Sequence, residues 1–141
     1  MKYSLRLFAI VLCVSSAGCR RNSSLSEPIG KVVQSGASQL NLGSVTNFAW
    51  EDVFVFGPYT PKDAECQTLK HSASRCLSEG LRDVDESESL MVFLRGDSVN
   101  RVESIPRTIA DFDDNCLNRD FKRAAAEFVV EKRPRVYIVC R

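Results

Sequence analysis

From Phe48 to Phe56, read with period two, Phe48, Trp50, Phe54 and Phe56 share one face and Ala49, Val53 and Val55 the other. Aromatic and β-branched side chains suit a pleated, packed strand. Gly57-Pro58 then stops it, because Pro has no N–H for a ladder and Gly permits a sharp bend. The pattern predicts a central strand running into a turn. Residues 90–95 (Leu-Met-Val-Phe-Leu-Arg) predict a second strand, Gly96-Asp97 a two-residue hairpin turn, and residues 98–105 a more polar return strand that Pro106 ends. A second hairpin is expected near the C-terminus. Its strands cover at least 126–131 and 136–140, and Lys132-Arg133-Pro134-Arg135 forms the turn.

Helical signals are fewer. Thr60 is placed to cap, Pro61 suits a first helical position, and Asp63 and Glu65 favour the positive end of the helix dipole. The spacing predicts a helix carrying Cys66, Leu69 and Ala73 and ending near Ser74-Arg75. Between residues 29 and 42, Ile29, Val32, Val33 and Leu40 mark an apolar face that Gly30 and Gly36 interrupt, which predicts a partial helix or ordered loop. Asn41 to Ser44 reads as a turn into the Phe48 strand. The expected fold is α+β: a small antiparallel sheet of four to five strands with one or two helices on a face, tied by disulfides, forming one domain over residues 41–141.

The first eighteen residues carry a different pattern. Lys2 and Arg6 precede an apolar run over 7–14, which is too short to span a bilayer and suits the hydrophobic part of a signal peptide. Ser16-Ala17-Gly18-Cys19 follows, and small residues just before a Cys resemble the lipobox of bacterial lipoproteins. The resemblance implies cleavage before Cys19 and a diacylglycerol on its thiol, with Ser16 departing from the usual Leu. An ordinary secretory signal cut near Ala17 or Gly18 is the alternative. Arg20 is not the Asp that marks inner-membrane retention in enterobacterial lipoproteins, so the resemblance implies outer-membrane sorting facing the periplasm. Residues 19–40 are then the lipidated Cys and a tether, of which 22–28 is polar, small and suited to a flexible spacer.

Charge adds little. The full chain is formally +1, and loss of Lys2 and Arg6 leaves 17 basic against 18 acidic residues, with no electrostatic case for nucleic acid. The cysteines add more. With Cys13 removed and Cys19 lipidated, Cys66, Cys76, Cys116 and Cys140 leave an even set for an oxidising compartment. Three pairings are open, and Cys66–Cys76 with Cys116–Cys140 is preferred. Zinc and redox readings lack the C-x-x-C spacing they need.

Catalytic signals are weak, and no cofactor is expected. His71 is the only His and reads as an exposed residue at a helix end. Asp52 is the odd polar residue on the aromatic face; it and Glu51 are the acids nearest the central strand. Residues 111–115 mimic the start of an EF-hand, but Cys116 stands where the Gly belongs and Lys122 where the Glu belongs. The string of Phe48, Trp50, Glu51, Val53, Pro58, Tyr59 and Thr60 resembles one in small uncharacterised bacterial lipoproteins and exported proteins, which implies an envelope domain and no chemistry. Three functions are carried forward. The first is a non-enzymatic membrane-anchored module that binds or supports another envelope protein through an exposed apolar or aromatic patch. The second is an inhibitor or immunity-type protein using loop 83–89 or 111–115. The third is an enzyme with a site near Asp52, Tyr59 and His71.

Overall fold

A computed structural model describes residues 24–140. The expected signal peptide, Cys19 and the residues up to 23 lie outside the described residues, as does Arg141. The chain is α+β, with helices α1 (Ser26–Gln34), α2 (Leu42–Val45), α3 (Lys62–Leu69) and α4 (Ala73–Ser78). The strands are β1 (Gln39–Asn41), β2 (Asp52–Phe56), β3 (Glu88–Arg95), β4 (Ser98–Pro106), β5 (Asp111–Phe112), β6 (Asp120–Lys122), β7 (Glu127–Lys132) and β8 (Val136–Val139). They form two four-stranded sheets, ordered β1-β7-β8-β5 and β4-β3-β2-β6, where one sheet of four to five strands was expected. All pairings are antiparallel except β5 with β8. Among the described residues no helix is long and apolar enough to cross a membrane.

Both predicted hairpins form. Arg95 pairs with Ser98 around Gly96-Asp97, and Lys132 pairs with Val136. Gly96 adopts φ +57°, the left-handed conformation this turn demands. Strand β3 is buried on both faces, which is why its sequence is continuously apolar rather than alternating. Met91 and Phe93 enter a main core built from both sheets and α1, while Leu90, Val92 and Leu94 enter a second core beneath α3 and α4.

The aromatic stretch departs from the period-two reading. The ladder starts only at Asp52, and residues 48–51 lie outside it. Val53 and Val55 face the main core, and Phe54 and Phe56 the second. Phe48 and Trp50 cross over to the main core, where both meet the Phe93 ring edge-on at 5.0 and 5.2 Å. The buried Trp50 indole donates to Thr46 Oγ1 at 2.8 Å, which meets its need for a polar partner.

Two other regions differ from expectation. Residues 22–28 do not all form a spacer: Leu25 is buried, α1 begins at Ser26, and Leu25, Ile29 and Val33 line the main core at helical spacing. Pro28 is tolerated because it lies in the first turn. The single helix after Thr60 divides in two. Lys70 adopts φ +58° and ends α3, and the Ser72 side chain accepts from the Arg75 amide to start α4. Pro61 stands just outside α3, whose Lys62 amide donates to Asp83 Oδ1 at 2.8 Å. Disulfides join Cys66 to Cys76 and Cys116 to Cys140, with Cα separations of 6.0 and 5.2 Å. The first ties α3 to α4; the second ties the end of β8 to the one-turn 3₁₀ helix at Asp114–Cys116.

Candidate functional site

Tyr59 combines an exposed side chain with a positive backbone φ. It is 72 % exposed, and its backbone lies at φ +64°, a conformation that costs a bulky residue about 1–3 kcal/mol. Local bonds impose it. The Tyr59 amide donates to Val84 O at 3.0 Å, and the Val84 amide returns to Thr60 O at 2.9 Å. The Thr60 hydroxyl donates to Gly57 O at 2.7 Å, closing the turn after β2. The Tyr59 hydroxyl donates to Glu86 Oε2 at 2.7 Å, and that bond to an anion raises the phenol pKa.

Tyr59 stands at a cleft of about 650 Å3 between the acidic loop 83–87 and the β7–β8 turn. Glu86 and Ser87 form one wall, Pro134 and Arg135 the other, with Arg107 and Thr108 between. Arg107 spans the site: Nη1 donates to Glu86 O at 3.1 Å, and Nε and Nη2 both reach Asp111 Oδ2, at 2.9 and 2.6 Å. The Asp111 carboxylate raises the Arg107 pKa. Arg135 has no ion-pair partner among the described residues. The cleft therefore offers an exposed aromatic ring, an acidic wall and an uncommitted guanidinium.

Asp52 and His71 share a different cleft of about 620 Å3, which Tyr59 does not line. Asp52 is ion-paired with Lys122 at 2.6 Å, which raises the Lys122 pKa. Glu51 is exposed and accepts from the Gly96 amide at 3.0 Å. His71 is not the exposed residue expected: its side chain is 4 % exposed, with Nδ1 at 2.8 Å from Glu79 Oε2. A carboxylate only accepts, so Nδ1–H donates. Burial pushes the Glu79 carboxyl up, but bonds from Arg75, the Val99 amide and His71 outweigh it and hold the pKa below the ordinary value. The left-handed turn at Lys70 folds α4 back and brings Glu79 to His71, a partnership across eight residues that periodicity does not reveal. The three candidates for catalysis are thus split between two clefts.

No family model, curated protein or solved structure matches this chain. The functional reading rests on its own residues.

The other sequence candidates resolve as follows. Asp111 is buried and paired with Arg107, and Asp113 caps the 3₁₀ helix by accepting from the Asn115 amide, so 111–115 is not a protruding loop. Loop 83–89 is tied down by Asp83 and Val84, and Arg82 pairs with Glu88, holding its carboxyl below the ordinary value. Among the described residues no group of three or more His, Cys, Asp or Glu could hold a metal ion. Among the described residues, Tyr59 and Leu77 are the exposed large apolar side chains, at 72 % and 65 %. That is an isolated aromatic, not a continuous apolar patch.

One residue escaped the sequence reading. Glu65, read only as an acid favouring the positive end of its helix dipole, is fully buried in α3, and among the described residues neither carboxyl oxygen has a hydrogen-bond partner. Burial raises its pKa from 4.5 to about 7; nearby Arg82 lowers it and Asp83 raises it.

Proposed function

We propose that this chain is a lipid-anchored protein of the bacterial envelope that binds or supports another envelope protein. The acyl-bearing Cys19 is its anchor, and the Tyr59 cleft is its contact surface. The reading places it at the outer membrane, facing the periplasm. The observation that carries the contact surface is Tyr59 itself: an aromatic side chain held out to solvent on an unfavourable backbone, beside an uncommitted Arg. Tyr and Arg are the residue types that most often dominate binding at protein interfaces. Strain kept at an exposed position fits a residue retained for what it touches. The two disulfides are compatible with an extracytoplasmic compartment.

The test is an in-cell crosslinking pull-down of the lipidated protein, with intact mass measured on the same sample. Cys19→Ala and Tyr59→Ala serve as controls. One envelope protein is expected to be enriched with the native chain and depleted with Tyr59→Ala, and the native mass is expected to include the acyl groups. Equal enrichment with Tyr59→Ala removes the cleft from the reading, and a mass without lipid removes the anchor.

A further inference from the structure

We propose that the Tyr59 cleft faces the bilayer and receives a polar segment of a membrane-spanning protein, next to where that segment leaves the membrane. This rests on the lipid-anchored binding reading above.

Little chain lies between the anchor and the fold. Leu25 is already in the main core, its amide donates to Glu103 Oε2 at 3.0 Å, and the Ser26 hydroxyl donates to Ser104 O at 2.9 Å. Between Cys19 and Ser24 the chain spans at most about 17 Å when fully extended. The domain therefore cannot stand far from the membrane, and the chain enters it beside Ser104.

The β3–β4 hairpin then acts as a ruler. Ser104 lies near the end of β4, and Arg107 of the cleft follows it by about 10 Å of strand at most. The Arg107 amide donates to Ser87 O at 2.9 Å, so the Glu86–Ser87 wall belongs to this same end, and Pro134 and Arg135 line the same cleft. The Gly96-Asp97 turn is at the other end, roughly 26 Å away along β4. The cleft containing Asp52 and His71 includes Gly96 and Asp97 and so sits at that far end. Anchor entry and the Tyr59 cleft share one pole of the domain.

Charge chooses the occupant. Anionic headgroups are read by clusters of about four to eight basic residues. Here Glu86 faces the cleft from one side and Arg135 from the other. A polypeptide segment bearing a basic residue against Glu86 and an acidic one against Arg135 matches both walls. A short tether confines that segment to the membrane surface.

The experiment uses the full lipidated chain in its own envelope, with photoreactive benzoylphenylalanine at Thr108 in the cleft or at Asp97 on the far turn. Adducts are identified by mass spectrometry. The expected result is a Thr108 adduct to a membrane-spanning protein, within about ten residues of its spanning segment, and at least fivefold less adduct from Asp97. Arg135→Glu is expected to lower the Thr108 adduct at least fivefold while the protein keeps both disulfides by mass. Adducts to lipid alone, equal yields from the two positions, or a partner with no spanning segment each overturn this inference. The last of these leaves the binding reading intact, whereas no protein adduct at either position removes both.

Discussion

Replacing Glu65 by Gln tests whether a buried, unpartnered carboxyl makes this fold sensitive to alkali. The Glu65 residue is fully buried, and among the described residues its carboxyl has no hydrogen-bond partner. The unfolded chain releases this proton near 4.5, while the folded chain holds it to about 7. Between those values the native state binds more protons than the unfolded state, so stability falls as pH rises. The contribution is full below 4.5 and gone once pH has passed through 7. At about 1.4 kcal/mol per pH unit, the difference is worth about 3 kcal/mol. Gln keeps the size and cannot ionise. Urea unfolding, followed by fluorescence of the buried Trp50, is expected to show similar stabilities for Glu65→Gln and the native protein at pH 4.5. At pH 8 the variant is expected to be more stable by about 3 kcal/mol. Parallel stability curves for the two proteins from pH 4.5 to 8 refute the reasoning, because then the native state does not hold the extra proton.

Further measurements follow from other sites. Tyr59→Gly removes the strain at φ +64° and the bond to Glu86 together, so stability is expected to stay within about 1 kcal/mol of the native value while partner capture is lost. Glu79→Ala leaves His71 Nδ1 and the Val99 amide without their acceptor, and a loss of about 2 kcal/mol or more is expected in the same urea assay. Glu79 and Glu88 both have lowered pKa values, so their contributions are present above the ordinary carboxyl pKa and are lost as pH falls below it; acid unfolding is expected to shift to higher pH in Glu88→Gln. The Cys66→Ser, Cys76→Ser double variant is expected to lose about 2–4 kcal/mol, mainly by freeing the unfolded chain, while the Cys116–Cys140 bond persists by mass.

The hairpins were legible because Gly96-Asp97 and Lys132 to Arg135 are strong local turn signals between apolar runs. The disulfide pairing was legible because Cys66 and Cys76 are only 10 residues apart, at a helix and the segment after it, which leaves Cys116 and Cys140 for each other. The second sheet was not. β1, β5 and β6 are only two or three residues long, and segments that short carry no periodic signal. Helix α1 was hidden by its polar composition, although Leu25, Ile29 and Val33 recur at a spacing of four. The crossover of Phe48 and Trp50 was hidden because the period breaks between Trp50 and Asp52, where the ladder begins. The Tyr59 cleft is assembled from residues far apart in sequence, and its positive φ follows from bonds to Val84 that no local pattern announces. Glu65 looked like an ordinary first-turn acid because nothing near it in sequence reports that α3 turns that side inward.

Strand β4 is the long outer strand of its sheet, and α1 covers it where Ser26 reaches the Ser104 carbonyl. An uncovered strand edge invites pairing with other chains. The first described residues therefore plug the core with Leu25 and shield the sheet edge. A protease that cuts within α1 strips off both in the same event. The remaining domain would expose a β edge and an opened core, and would be prone to aggregate. Core closure and colloidal stability are in this way invested in the same ten residues, so a shortened version of the domain has to begin upstream of Leu25 to behave well in solution.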